Sequence, residues 1–277
     1  MKVLATTDFS DNSAAALRFA IQLAEQNPNI ELTFFHSYHI LRPSSFSDEQ
    51  FDAYENEKKA EIQKQLETFI DGIYASLNIA PKKAEYIIKE SVVASGNVIN
   101  YAEKCNFDLL CIGTRGAGTI EKMLGTNTIN IINKCNVPIV AVPVDYIYHS
   151  VDKLLYASDF FDLDIELDKV VNFARPLNAE VEVLHFSFPS ETADRNSEAK
   201  ERGETFDGYP ISFNIVDNNA LKPLVANLEN YVESTHPSLL VMFTNPNKSF
   251  IEKLLFSGNT EGIVLRTKIP LLVYKKN

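Results

Sequence analysis

Residues 113–128 read GTRGAGTIEKMLGTNT, with four glycines and four threonines in sixteen positions. The apolar run DLLCIG leads into them, and INIINKCNVPIVAVP follows. Gly113 and Gly116 let backbone N–H groups approach a sugar or phosphate with no Cβ in the way. Gly125, Thr126, Asn127 and Thr128 stand at the start of a helix predicted around 127–134. Orphan amides, hydroxyls and the positive end of a helix dipole make an anion site there. The same residues also suffice for a tight turn at 116–118 and a helix cap at Thr126 or Asn127. The loop is no Walker loop, because no GKS or GKT follows, and no GxGxxG follows the first predicted strand. Hydrolysis would require a positioned water and a carboxylate-held metal. Asp8 is the one acid that strand ends bring to this loop, and Glu121 reads as a surface glutamate. With no Ser/His/Asp spacing and no carboxylate dyad, the sequence assigns no catalytic residue. His36 and His185 occupy equivalent places in two similar segments, too few ligands for zinc.

The elements that must position these residues are visible because the chain repeats itself. KVLATTDFSDN at 2–12 returns as KLLYASDFFDL at 153–163, and ELTFFHSY at 31–38 as EVEVLHFS at 180–187. FDLLCIGT at 107–114 matches PSLLVMFT at 237–244, and VPIVAVPV at 137–144 matches IPLLVYKK at 269–276. Two domains are expected, 1–147 and 148–277. Within each, apolar β-rich runs alternate with helical periodicity, as at Leu17, Ala20, Ile21 and Ala24. Such alternation predicts an α/β fold: two tandem doubly wound five-stranded parallel sheets. Ser47 and Gln50 predict a capping box opening a long helix. Its counterpart in the second half, 188–210, is polar and predicts an irregular, mobile excursion. In doubly wound sheets ligands sit beyond the strand carboxyl ends. Asp8 after strand one, Ser37 after strand two and Gly113 after strand four therefore converge.

The chain has 277 residues and a formal charge of −11. That balance repels polyanions and argues against nucleic acid as a partner. Three cysteines, an odd number without a CxxC pair, point to a reducing compartment and a cytoplasmic protein. No secretory h-region or membrane-length apolar stretch is present in the sequence given.

ATTDFSDNSAAALRFAIQLA, LTFFHSY and IGTRGAG…LGTNTINIINKCNVPIVAVP together resemble the universal stress protein family in its tandem form. The resemblance implies Rossmann-like domains that pair through their last strands as a covalent pseudo-dimer, with a protein partner or homo-oligomer as further options. It also implies ATP or AMP as ligand, Mg accompanying ATP, and a role as a stress sensor or signalling module. The ATP-binding branch carries G-x2-G-x9-G-[ST]; here Gly113-x2-Gly116-x8-Gly125-Thr126 is one residue short. By position, Asp8 and Ser37 meet the adenine end, Gly113 and Gly116 the ribose and inner phosphates. Gly125, Thr126, Asn127 and Thr128 meet the outer phosphates. Arg115 is in reach of a phosphate and is otherwise an exposed loop arginine. In the second half Asp159 is retained, but the glycine positions fall on Thr244, Asn247 and Ser257, and Pro246 removes an amide donor. No nucleotide site of this type is expected there. A nucleotide-independent interaction scaffold is the alternative, and a slow ATPase a weaker one.

Overall fold

Short β-branched and aromatic runs with both faces apolar form the strands of a computed structural model, which describes residues 1–114, 126–187, 204–219, 221–244 and 268–276. The chain divides into two compact units, Met1–Asp145 and Tyr146–Asn277. In unit 1 the strands are β1 (Lys2–Thr7), β2 (Glu31–Tyr38), β3 (Ala84–Glu90), β4 (Leu109–Gly113) and β5 (Ile139–Val142). They pair in parallel in the order β3-β2-β1-β4-β5. The order reverses between β1 and β4, which is where a cleft opens at the strand carboxyl ends of such sheets.

Helix α1 (Asp11–Gln26) follows β1 directly. Ala14, Ala15, Ala16, Ala20 and Ala24 are all buried, together with Leu17, Phe19 and Ile21. Small residues on the packed face bring its axis close to the sheet, and each buried large apolar side chain contributes about 1.5–3 kcal/mol. Helix α2 (Asp48–Leu77) opens on the predicted capping box: Gln50 N–H donates to Ser47 Oγ at 3.3 Å and Ser47 N–H to Gln50 Oε1 at 2.9 Å. Only Leu66, Ile70, Ile73 and Tyr74 of its thirty residues are buried, so one stripe of its last three turns holds it to the unit. Helix α3 (Ala94–Lys104) precedes β4, and α4 (Thr126–Lys134) precedes β5.

Unit 2 repeats the plan. Strands β6 (Lys153–Ala157), β7 (Glu180–Ser187), β9 (Tyr209–Asp217), β10 (Leu239–Thr244) and β11 (Leu271–Lys275) run parallel in the order β9-β7-β6-β10-β11. Helices α5 (Leu163–Ala174) and α6 (Leu224–Thr235) accompany them. The excursion expected at 188–210 contains regular structure near its end. Residues 188–203 lie outside the described residues, but a short strand β8 (Thr205–Phe206) pairs antiparallel with the start of β9. Asp207 and Gly208 between them both have positive φ, 47° and 71°. That is the type I′ hairpin an Asp-Gly pair favours, a local signal the compositional reading passes over. Arg175 anchors the turn by donating to Asp207 O and Oδ2 at 3.1 and 3.0 Å. Among the described residues no helix is long and apolar enough to cross a membrane.

Candidate functional site

The cleft of unit 1 is built from the carboxyl end of β1 upward. Thr7 Oγ1 accepts from Phe9 N–H at 2.9 Å and shares a hydrogen bond of 2.8 Å with Ser13 Oγ. Phe9 takes a left-handed φ of 64°, a conformation costly for an L-residue. Its ring is held against His36, with centroids 4.2 Å apart, and edge-on to Phe69 at 5.5 Å. Asp8, in the bend, accepts from Ser10 N–H at 3.1 Å and Ser10 Oγ–H at 2.5 Å, while Ser10 caps α1. His36 donates from Nδ1 to the Thr7 carbonyl at 2.8 Å, since that oxygen only accepts. Burial keeps this imidazole below its usual pKa. Turn, helix cap and second strand are thus one hydrogen-bonded unit that fixes Asp8.

The cavity is lined by Thr6, Thr7, Asp8 and Ser13 from β1 and α1, and by Phe35 and Ser37 from β2. Opposite stand Ile112 and Gly113 of β4, Ala94, Ser95 and Val98 of α3, and Asn127, Thr128 and Ile131 of α4. Its polar lining is hydroxyls, the Asn127 amide and a single carboxylate. Among the described lining residues there is no cationic side chain, and among the described residues no cluster of three or more His, Cys, Asp or Glu could hold a metal.

Five of the residues singled out from the sequence, Asp8, Ser37, Gly113, Asn127 and Thr128, line this one cavity. Thr126 opens α4. Arg115, Gly116 and Gly125 lie outside the described residues. Two of the expected roles change. A Cβ on Gly113 would stand 2.5 Å from Asn12 O and 2.8 Å from Asn12 C. The space this glycine leaves is therefore taken by the backbone at the start of α1. The Thr128 hydroxyl donates to Gly113 O at 2.9 Å, so its proton is not offered to a phosphate; only the Thr128 amide and the oxygen's acceptor capacity remain. Ala94, Ser95 and Val98 escape sequence reasoning because α3 carries no motif. Their signal is only the small-residue start of a helix, and Asn130, one turn into α4, donates to Ser95 Oγ at 2.8 Å.

Unit 2 keeps the frame of this site and differs in the side chains that stand on it. Ser158 Oγ accepts from Phe160 N–H at 3.1 Å, and Phe160 has φ 60° and stacks on His185, where the Phe9 and His36 rings are tilted by 36°. The strand registers place Phe243, not Thr244, at the position of Gly113. Counting back from Pro270 misses by one because the intervening loop differs in length; Pro246, Asn247 and Ser257 lie outside the described residues. Phe243 is 2% exposed, stacked on Tyr274 at 5.0 Å and edge-on to Tyr156 at 5.5 Å. Ala5, Ala15 and Ser37 of unit 1 correspond to Tyr156, Glu166 and Phe186, all buried. Lys276, in the place of Val144, donates to both Asp159 carboxylate oxygens at 2.9 Å and pairs with Glu166 Oε1 at 2.9 Å. Tyr156 donates to the other Glu166 oxygen, and Ser158 to Tyr156. Burial raises Glu166, against the opposing pull of Tyr156 and Lys276. Burial works to lower Lys276, but its two carboxylate partners hold it above the usual ammonium value.

The fold is a doubly wound, Rossmann-like α/β domain present twice. The model of the universal stress protein family matches residues 1–143. The chain belongs to the universal stress protein family. A universal stress protein from Archaeoglobus fulgidus DSM 4304 is similar in structure, with TM-score 0.72 at 20% identity over 100% of this chain and 98% of that one. A functionally unknown protein from Pseudomonas aeruginosa PAO1 follows with TM-score 0.61 at 13% identity, covering 99% and 92%. At these identities the likeness is one of fold. Among curated proteins none matches the sequence.

Proposed function

We propose that unit 1 binds one adenine nucleotide, ATP or AMP, and that the chain acts as a nucleotide-responsive stress protein rather than as an enzyme. The observation that carries this reading is the contrast between the two copies. At the same strand ends, unit 1 has Asp8 and Ser37 lining an open cavity. Unit 2 has Asp159 held by Lys276 at 2.9 Å and the buried ring of Phe186 at those two positions. Apolar walls with a few convergent polar groups suit a base and sugar. The α4 amides, with the Gly116 and Gly125 segments known from sequence, suit the phosphates. A metal would have to come with ATP, since Asp8 is the only carboxylate in the described lining. With no base or metal cluster at hand, turnover has no machinery on these residues.

Titration calorimetry of the full chain tests this. One nucleotide per chain is expected, with binding abolished by Gly116→Val. No binding of ATP or AMP at millimolar concentration overturns the reading in favour of a nucleotide-independent scaffold, and a stoichiometry of two overturns the restriction to unit 1.

A further inference from the structure

Ser37 stands one residue past the last β1–β2 pair named from Thr7, which is Thr7 with His36. The register therefore sets it across from Asp8, on strands about 4.8 Å apart, and both line the cavity. One lone pair of the Ser37 hydroxyl is already committed. Asn97, on α3 behind the cavity wall, donates from Nδ2 to Ser37 Oγ at 2.8 Å and to the Lys89 carbonyl at 3.1 Å. A carbonyl oxygen only accepts, so Lys89 fixes which end of the Asn97 amide is the nitrogen. Ser37 Oγ is then the acceptor in its bond with Asn97, and its own proton is left for another partner. Among the described residues no acceptor takes it. The Asp8 carboxylate, by contrast, only accepts.

We propose that Asn97 is a positioning residue that sets Ser37 as a hydrogen-bond donor into the cavity, and that Ser37 and Asp8 form a donor–acceptor pair selecting an amino-purine edge. The proposal rests on the adenine-nucleotide reading above and deepens it. Adenine presents an amino donor beside ring-nitrogen acceptors, at N7 and N1. The amino group suits Asp8 and a neighbouring ring nitrogen suits Ser37. Hypoxanthine and guanine place a carbonyl oxygen where the amino group stands, toward Asp8, and a protonated N1 toward the Ser37 donor. The Asp8 contact is then mismatched in either case and the Ser37 donor contact as well where its partner is N1, and a polar site rejects such an analogue more strongly than an apolar pocket would. Unit 2 serves as an internal contrast. Its Ser37 position is Phe186, and Asn227, retained on α6, donates instead to Asn218 Oδ1 at 2.8 Å.

The test is calorimetry of the full chain with AMP, 1-deaza-AMP, 7-deaza-AMP and IMP, on wild type, Ser37→Ala and Asn97→Asp. AMP is expected to bind wild type about 100-fold tighter than IMP. Ser37→Ala loses about 5- to 10-fold in AMP affinity. One of the two deaza analogues shows the same loss on wild type and no further loss on Ser37→Ala, the non-additivity of a direct contact. In Asn97→Asp the new carboxylate accepts the Ser37 proton and turns a lone pair to the cavity. AMP affinity falls and the AMP-to-IMP ratio shrinks about 10-fold, a change of selectivity that loosened packing alone would not produce. AMP binding by wild type with unchanged affinity in Ser37→Ala, or deaza analogues that both bind like AMP, overturns this proposal and leaves the nucleotide reading standing. Failure of wild type to bind AMP and ATP alike overturns both.

Discussion

Lys276→Met removes the cation at the centre of unit 2 and makes a prediction with a sign as well as a size. Glu166, its side chain 3% exposed, loses the cation that pairs with it, whereas Asp159, at 27%, still has access to solvent. Breaking a buried pair from one side costs about 3–5 kcal/mol when the remaining charge persists. Glu166 has an escape, because burial already raises its pKa above the ordinary 4.5 and Lys276 is among the groups opposing that rise. Without Lys276 the folded-state value climbs further. A carboxyl with a raised folded value contributes stability below its unfolded value and loses it as pH rises through the folded one. The variant should therefore approach wild type near pH 4.5 and fall away by about 1.4 kcal/mol per pH unit above it. The decline ends after about 2–4 units, when the full cost of the broken pair is reached. The chain has no tryptophan, so far-UV circular dichroism in urea is the assay, with hydrogen exchange of the β6 amides reporting on unit 2. Adding Glu166→Gln should remove the slope. Parallel stability curves for wild type and Lys276→Met across this range would refute the coupling of the two groups.

The two further predictions concern each unit in turn. Gly113→Ala drives a Cβ into the Asn12 carbonyl at 2.5 Å; backbone against backbone cannot yield cheaply, so about 1–3 kcal/mol is lost and amide protection falls at the start of α1, with wild-type urea stability counting against the contact. Glu182 is held below the usual carboxylate value, since the desolvation that raises it is outweighed by Lys153 at 2.7 Å, Tyr231 and Asn214. Its contribution is present above about pH 4.5 and is lost as pH falls through the depressed folded value, so Glu182→Gln should flatten the acid limb of unfolding, and an unchanged limb would remove Glu182 from the account.

Features written within a few residues of chain were legible in advance. Val3–Leu4–Ala5 and Leu109–Leu110–Cys111 read as buried strands because a parallel sheet covers both faces. Ser47 and Gln50 read as a capping box because both bonds span three residues. The Asp207–Gly208 hairpin was equally local and was hidden only by the polar composition around it. Asp8, Ser37, Gly113, Asn127 and Thr128 were placed together because strand order brings strand ends to one edge. The uses of Gly113 and Thr128 were not legible, since each depends on a group far along the chain: Asn12 O for the glycine and Gly113 O for the threonine hydroxyl.

The sequence by itself determined a duplicated α/β chain, the order of its elements and the edge at which a ligand would sit. Period, capping and repetition act over short separations or through the symmetry of two copies. The tertiary structure alone decided what stands in each cleft. Lys276 meets Asp159 across 117 residues, and Asn97 meets Ser37 across 60. No pattern along the chain encodes such a meeting, because it is fixed by the register of strands and the seating of helices on them. Those same contacts commit one serine lone pair to Asn97 and pair Asp159 with the chain's own lysine.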